Sequence, residues 1–245
     1  MVNGVKLLAG IVAGLLAVWL LSVGLFVNAL DDAFEPIPES VEHRVDYEAT
    51  FQVNGTVEDV RMMMPLPEGQ EFAAKLENST TVKPEDWNLS TAATDRGRMM
   101  VIEADRITPY RDGNVTGERD ELGYQDTYDI EFSVSYNRTI DTRNGLETEP
   151  RLPTRNREDS DRCMSQGECY SSTSDAYLNY SASDDAFTYI DIDLEGRNSW
   201  FSLGWTGNFY SQELRTGIER RVSGSQSGWV PLNGTEEQGV GNYRD

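Results

Sequence analysis

Val45, Tyr47, Ala49, Phe51 and Val53 alternate with Asp46, Glu48, Thr50 and Gln52. A repeat of two puts one set on each side of a pleated strand, so this stretch reads as a half-buried β-strand. The pattern returns in Tyr128, Ile130, Phe132, Val134 and Tyr136, with Asp129, Glu131, Ser133 and Ser135 outward. It returns again in Thr188, Ile190, Ile192 and Leu194, with Tyr189, Asp191, Asp193 and Glu195 opposite. Further strand candidates are Trp87 to Thr91, Met99 to Ala104, Ala176 to Ser181, Trp200 to Trp205 and Arg215 to Val222. Past residue 30 there is no long 3.6-residue period, and only Gln70 to Leu76 and Tyr210 to Leu214 suit short helical turns. Roughly eight to ten strands separated by turn clusters predict an all-β fold, an antiparallel β-sandwich or open barrel.

Asn54-Gly55 follows the first strand, and a two-residue loop of this type predicts a hairpin in which facing residue numbers sum to 109. Val45 would then face Met64, Tyr47 would face Met62, Ala49 would face Val60 and Glu48 would face Arg61. This register makes Met62 and Met64 core residues and turns Met63 outward, against a soft-metal reading of the three methionines.

Between Lys6 and Asn28 run 21 residues, Leu7 to Val27, without a charge. At 1.5 Å per residue such a helix spans about 30 Å, the thickness of a bilayer core. Residues 1–30 are therefore expected to form an N-terminal transmembrane anchor; a signal peptide cleaved near Val27-Asn28-Ala29 is the alternative. Lys6 before the run and Asp31, Asp32 and Glu35 after it orient the N-terminus to the cytoplasm and the remainder outside. Residues 31–44 read as an acidic linker, 45–230 as an extracellular β-domain with a long loop at 141–175, and 231–245 as a flexible tail.

The chain carries 42 Asp and Glu against 21 Lys and Arg, and only Lys6, Lys75 and Lys83 are lysines. Such a surface repels a polyanion, so no nucleic-acid partner is expected. With 24 Phe, Trp and Tyr the chain is also too aromatic for an acidic disordered tail. Acid-rich and lysine-poor, the composition resembles that of proteins from halophilic archaea. In its whole arrangement the chain resembles membrane-anchored surface proteins of haloarchaea, a resemblance that implies a cell-surface location and no particular activity.

Cys163 and Cys169 are the only cysteines, and in a loop outside the membrane they predict a disulfide. The single histidine, His43, leaves no imidazole for a nucleophilic triad and too few ligands for zinc, so no cofactor and no reaction are expected. Paired carboxylates hydrolysing a glycan need no histidine and stand as the enzymatic alternative. Asp191, Asp193 and Glu195 share one strand face and read as solvated acids. Asp112 to Glu121 resembles half of a calcium loop, but Gly123 stands where the bidentate acid belongs, so an acidic glycosylated loop competes with a calcium-stabilised adhesion module.

Seven of 14 asparagines, Asn54, Asn78, Asn88, Asn114, Asn137, Asn179 and Asn233, head Asn-X-Ser/Thr sequons, where the Ser and Thr content gives about two by chance. All seven follow the apolar run, which predicts an N-glycosylated outer domain. Trp200, Phe201, Trp205, Phe209, Tyr210 and Trp229 cluster late, either as core or as a platform for a protein or glycan partner. The expected function is structural or interactive.

Overall fold

The alternating stretch becomes strand β1 (Glu42–Val53), and its apolar set Val45, Tyr47, Ala49, Phe51 and Val53 is at most 1% exposed. This computed structural model describes residues 41–77, 87–109, 127–163, 166–201, 204–216 and 222–243. The apolar run and the acidic glycine loop at 112–121 lie outside them, and no described helix is long and apolar enough to cross a membrane. After β1 come β2 (Val57–Pro65), helix α1 (Gln70–Glu77), β3 (Asn88–Thr94), β4 (Gly97–Ile107) and β5 (Tyr128–Ser135). Next are a helical turn α2 (Gly145–Thr148), β6 (Asn156–Asp159), β7 (Glu168–Ala182), β8 (Phe187–Phe201), β9 (Trp205–Arg215), β10 (Val222–Ser223) and β11 (Gln226–Gly241).

The strands form one curled antiparallel sheet in the order β3-β4-β2-β7-β11-β9-β8-β1-β5, with β10 beside β8 and β6 beside β7. The all-β expectation holds, and its open form is the one adopted: among the described residues, eleven strands in one half-barrel. Curling brings the apolar rows of β1, β5 and β8 against those of β2 and β4, so that the Tyr47 hydroxyl donates to the Pro65 carbonyl at 2.9 Å. The Trp87 ring sits 4.6 Å from Tyr128 and 6.4 Å from Phe51, joining the two walls. The open edges are β3 and β5, and α1 packs on both. Its Phe72 and Leu76, one helical turn apart, are buried, while Gln70, Glu71 and Lys75 face solvent. A helix laid across the gap hides strand edges that would otherwise recruit another chain.

Asn54-Gly55 does not make a hairpin. Neither residue has the positive φ that a type I′ turn demands, and both edges of β1 are already taken, by β5 and by β8. Val45 therefore faces Val134 and Gly196 in place of Met64, and Glu48 faces Glu131 and Asp193 in place of Arg61. The chain crosses to the opposite wall, where β2 pairs with β4 and β7 and bulges at Asp59, whose φ is 54°. Met62 and Met64 are buried as expected, across the core from β1 and not beside it.

At one end the barrel interior turns polar. Gln212, Glu236 and Gln238 point inward from β9 and β11, with Glu236 fully buried. The stretch after β5 folds over them: Gln212 accepts from the Leu152 amide at 2.6 Å, Gln238 accepts from the Leu146 amide at 3.2 Å, and Arg157 Nε donates to Glu236 at 2.6 Å. Leu146 and Leu152 are fully buried beneath this cover. Tyr210 lies flat between Gly145 and Gly196, since a Cβ on either would come within 2.3 Å of its ring. Arg138 grips Glu149 with two nitrogens at 2.6 and 2.5 Å and so holds the start of the cover.

Four expectations are corrected by this arrangement. The stretch 141–175 is a cover that contains α2 and β6, and β7 already begins at Glu168. Residues 231–241 belong to β11 in the middle of the sheet, and Tyr210 to Leu214 lie in β9 and not in a helical turn. The last residues assigned to the linker, 42–44, open β1. Removing one partner of a buried ion pair strands the other charge and costs about 3–5 kcal/mol. Arg157→Ala is accordingly expected to lower stability by that order and to speed hydrogen exchange at the Leu146 and Leu152 amides well before those of β1, measured by mass spectrometry.

Candidate functional site: an acidic groove on the outer face

Outward positions of β5, β1, β8 and β9 share one row. Glu131 stands opposite Glu48, Glu48 opposite Asp193, and Asp193 opposite Glu213. Four like charges on adjacent strands oppose the usual cross-strand preference. They floor a groove of about 780 Å³ whose walls add Asp46, Glu195 and Glu237. Arg44 offsets Asp46 at 2.9 Å, Arg197 offsets Asp46 at 3.3 Å, and Arg215 offsets Glu213 at 2.9 Å. Three arginines do not balance the acids.

Crowding shows in the proton affinities. Loss of hydration, followed by the charges of Asp191, Glu213 and Glu48, pushes the Asp193 carboxyl up to about 7. Loss of hydration and the facing acids also push Glu48 up, and loss of hydration with Asp46 pushes Glu195 up. One carboxylate oxygen from each of Asp191, Asp193 and Glu213 lies within 4.8 Å of the others. Oxygen donors at that spacing suit a hard cation in principle, and the charge that meets them here is the Arg215 guanidinium.

Two other hollows carry different chemistry. In one, of about 550 Å³, Arg96, Arg151, Arg155 and Arg157 converge around Asp175, which is 4% exposed and bound by Arg96 and by Arg155 at 2.8 Å. The Arg96 guanidinium lies 4.6 Å over the Trp229 ring. In the other, of about 690 Å³, His43 donates through Nδ1 to the Asn198 Oδ1 at 2.6 Å. The Asn198 amide nitrogen donates to the Ile140 carbonyl and to Asn208, which fixes its oxygen as the acceptor. His43 is thus a structural hydrogen-bonding residue.

Cys163 and Cys169 are joined in a disulfide with Cα atoms 5.8 Å apart. Of the sequons, Asn88 on edge strand β3 and Asn137 after β5 are exposed. Asn233 is exposed on β11, and Asn179 is half-buried in the middle of β7. Asn54 is engaged at both ends of its amide, accepting from the Phe187 N–H at 2.5 Å and donating to the Asp185 carbonyl at 3.3 Å. Asn78 and Asn114 lie outside the described residues. Among the late aromatics Trp200 and Tyr210 are core residues and Trp205 is 65% exposed. Asp191, Asp193 and Glu195 face outward as expected; the partners Glu48, Glu131 and Glu213 depend on strand register, and the hairpin reading puts Arg61 opposite Glu48.

No protein family, curated protein or solved structure is matched by this chain.

For a carboxyl whose folded pKa is raised from 3.8 to about 7, the stabilising contribution is full below 3.8 and is lost as pH rises through 7. Asp193→Asn is expected to flatten the part of the Tm profile that falls between pH 4 and 7. At pH 8 in dilute buffer it should raise Tm by about 1–3 °C, a gain that molar salt reduces. Scanning calorimetry of both chains across pH and salt checks this.

Proposed function

We propose that the chain is a single-pass membrane protein, anchored by residues 7–27 with its N-terminus in the cytoplasm, that presents an N-glycosylated acidic half-barrel on the cell surface of a salt-adapted organism. Its role is structural or interactive, toward a protein or glycan, with no nucleic acid involved. The observation that carries this reading is the succession of a 21-residue uncharged run and a β-unit starting at Val41 that holds a disulfide. An uncharged run of that length matches a bilayer, and disulfides persist in oxidising surroundings. The row from Glu131 to Glu213 supports salt adaptation. Its repulsion acts at full range in dilute buffer, whereas at molar salt charges are screened beyond about 3 Å.

A carboxylate-dependent glycan hydrolase is a second reading, favoured by one observation. Asp193, held near pH 7, has the protonation of a general acid and lies within 4.8 Å of Asp191 and Glu213. Reducing sugar released from soluble glycans by the full chain and lost in Asp193→Asn would support it; no release by the native chain would dismiss it.

Intact-mass measurement of the native protein tests the main reading. The expected mass retains residues 1–29 and carries more than one glycan. Asn88→Gln and Asn137→Gln are each expected to remove one glycan, while Asn54→Gln leaves the count unchanged because that amide is bonded within the fold. A cleaved, unmodified chain would overturn the proposal.

A further inference from the structure

Among the described residues two large hydrophobic side chains are exposed, Val41 at 42% and Trp205 at 65%. Both lie at one end of the half-barrel. Glu42 is in register with Ser199 and Phe201 with Trp205, so Val41 lies next along β1 toward the β8–β9 turn that Trp205 closes. Residue 41 is also where the chain arrives from the apolar run.

We infer that this end of the half-barrel rests on the membrane surface, with Trp205 inserted among the lipid headgroups. The inference builds on the anchor reading above and names lipid as the partner of this surface. Thirteen residues, 28–40, separate the run from β1. That many residues span at most about 45 Å. Val41 can therefore lie no farther than that from the end of the apolar run.

The chemistry of this end suits the interfacial zone. From Asn198 to Gln212 there is no charged residue, in a chain of which 26% is charged. The Phe201 ring braces Trp205 edge-on at 6.0 Å. Tyr243 presents its hydroxyl to Thr142 at 3.2 Å and its ring to the Arg143 guanidinium at 4.3 Å. Tryptophan and tyrosine concentrate at membrane interfaces because an apolar ring and a polar tip meet both media there. Among the described residues, the acids beside Val41 are Glu42, paired with Arg44 at 3.2 Å, and Asp141, which shares a hollow with Arg143.

The test reconstitutes the full chain in phosphatidylcholine vesicles at molar salt, with phospholipids brominated near the headgroup as quenchers. The difference in emission between native chain and Trp205→Phe isolates Trp205 from the other four tryptophans. Flotation with the vesicles and at least a twofold loss of that difference emission on bromination is the expected result. Flotation with the Trp205 emission unchanged by bromine overturns the docking and leaves the anchor standing. A native chain that stays out of the lipid fraction overturns both.

Discussion

The fold turns on what is done with Glu236, a carboxylate that β11 carries into the interior of the sheet and that has no exposure to water. An unpaired charge there would cost several kcal/mol, so the inner end of the barrel exists only while Arg157 and Gln212 reach it. Arg157 arrives with β6, Gln212 also takes the Leu152 amide, and Leu146 and Leu152 are buried in consequence. What the sequence presents as an irregular excursion is thereby obligatory, because it satisfies polar groups that the strands cannot satisfy among themselves.

The opposite constraint acts at the rim. A single open sheet has two free edges, and here both are met by the same eight-residue helix, with Phe72 and Leu76 as its buried contacts. Burying each such side chain contributes about 1.5–3 kcal/mol, a modest sum for closing a barrel. Polar contacts at one end and apolar contacts at the gap thus hold the same curled sheet for different physical reasons.

Strands β1, β5 and β8 were legible because most of their inner positions are apolar, Thr188 and Asn198 of β8 being the buried polar exceptions. β9 and β11 were not, because inner positions such as Asn208, Gln212, Glu236 and Gln238 erase the contrast on which alternation depends. The Asn54-Gly55 signal misled for a separate reason. Turn chemistry describes a local preference, and here the Asn54 amide serves a distant segment, Asp185 to Phe187, while β1 finds its partners far along the chain. The disulfide needed only the count and spacing of two cysteines, and the outward acids needed only parity. The row that sets those acids against one another needed the strand register, which a single sequence leaves open.

The order of strands places β11, the last described strand in the sequence, fifth of nine along the path of the sheet, between β7 and β9. β1, the first described strand to be made, waits for β5 and β8 before either of its edges is covered. Neither β7 nor β9 has its second edge covered until β11 is made, and closure joins segments separated by most of the sequence, which makes folding slow. A chain without Gln226 onward would lack the strand that unites the two halves, so the sheet can close only once that strand is present.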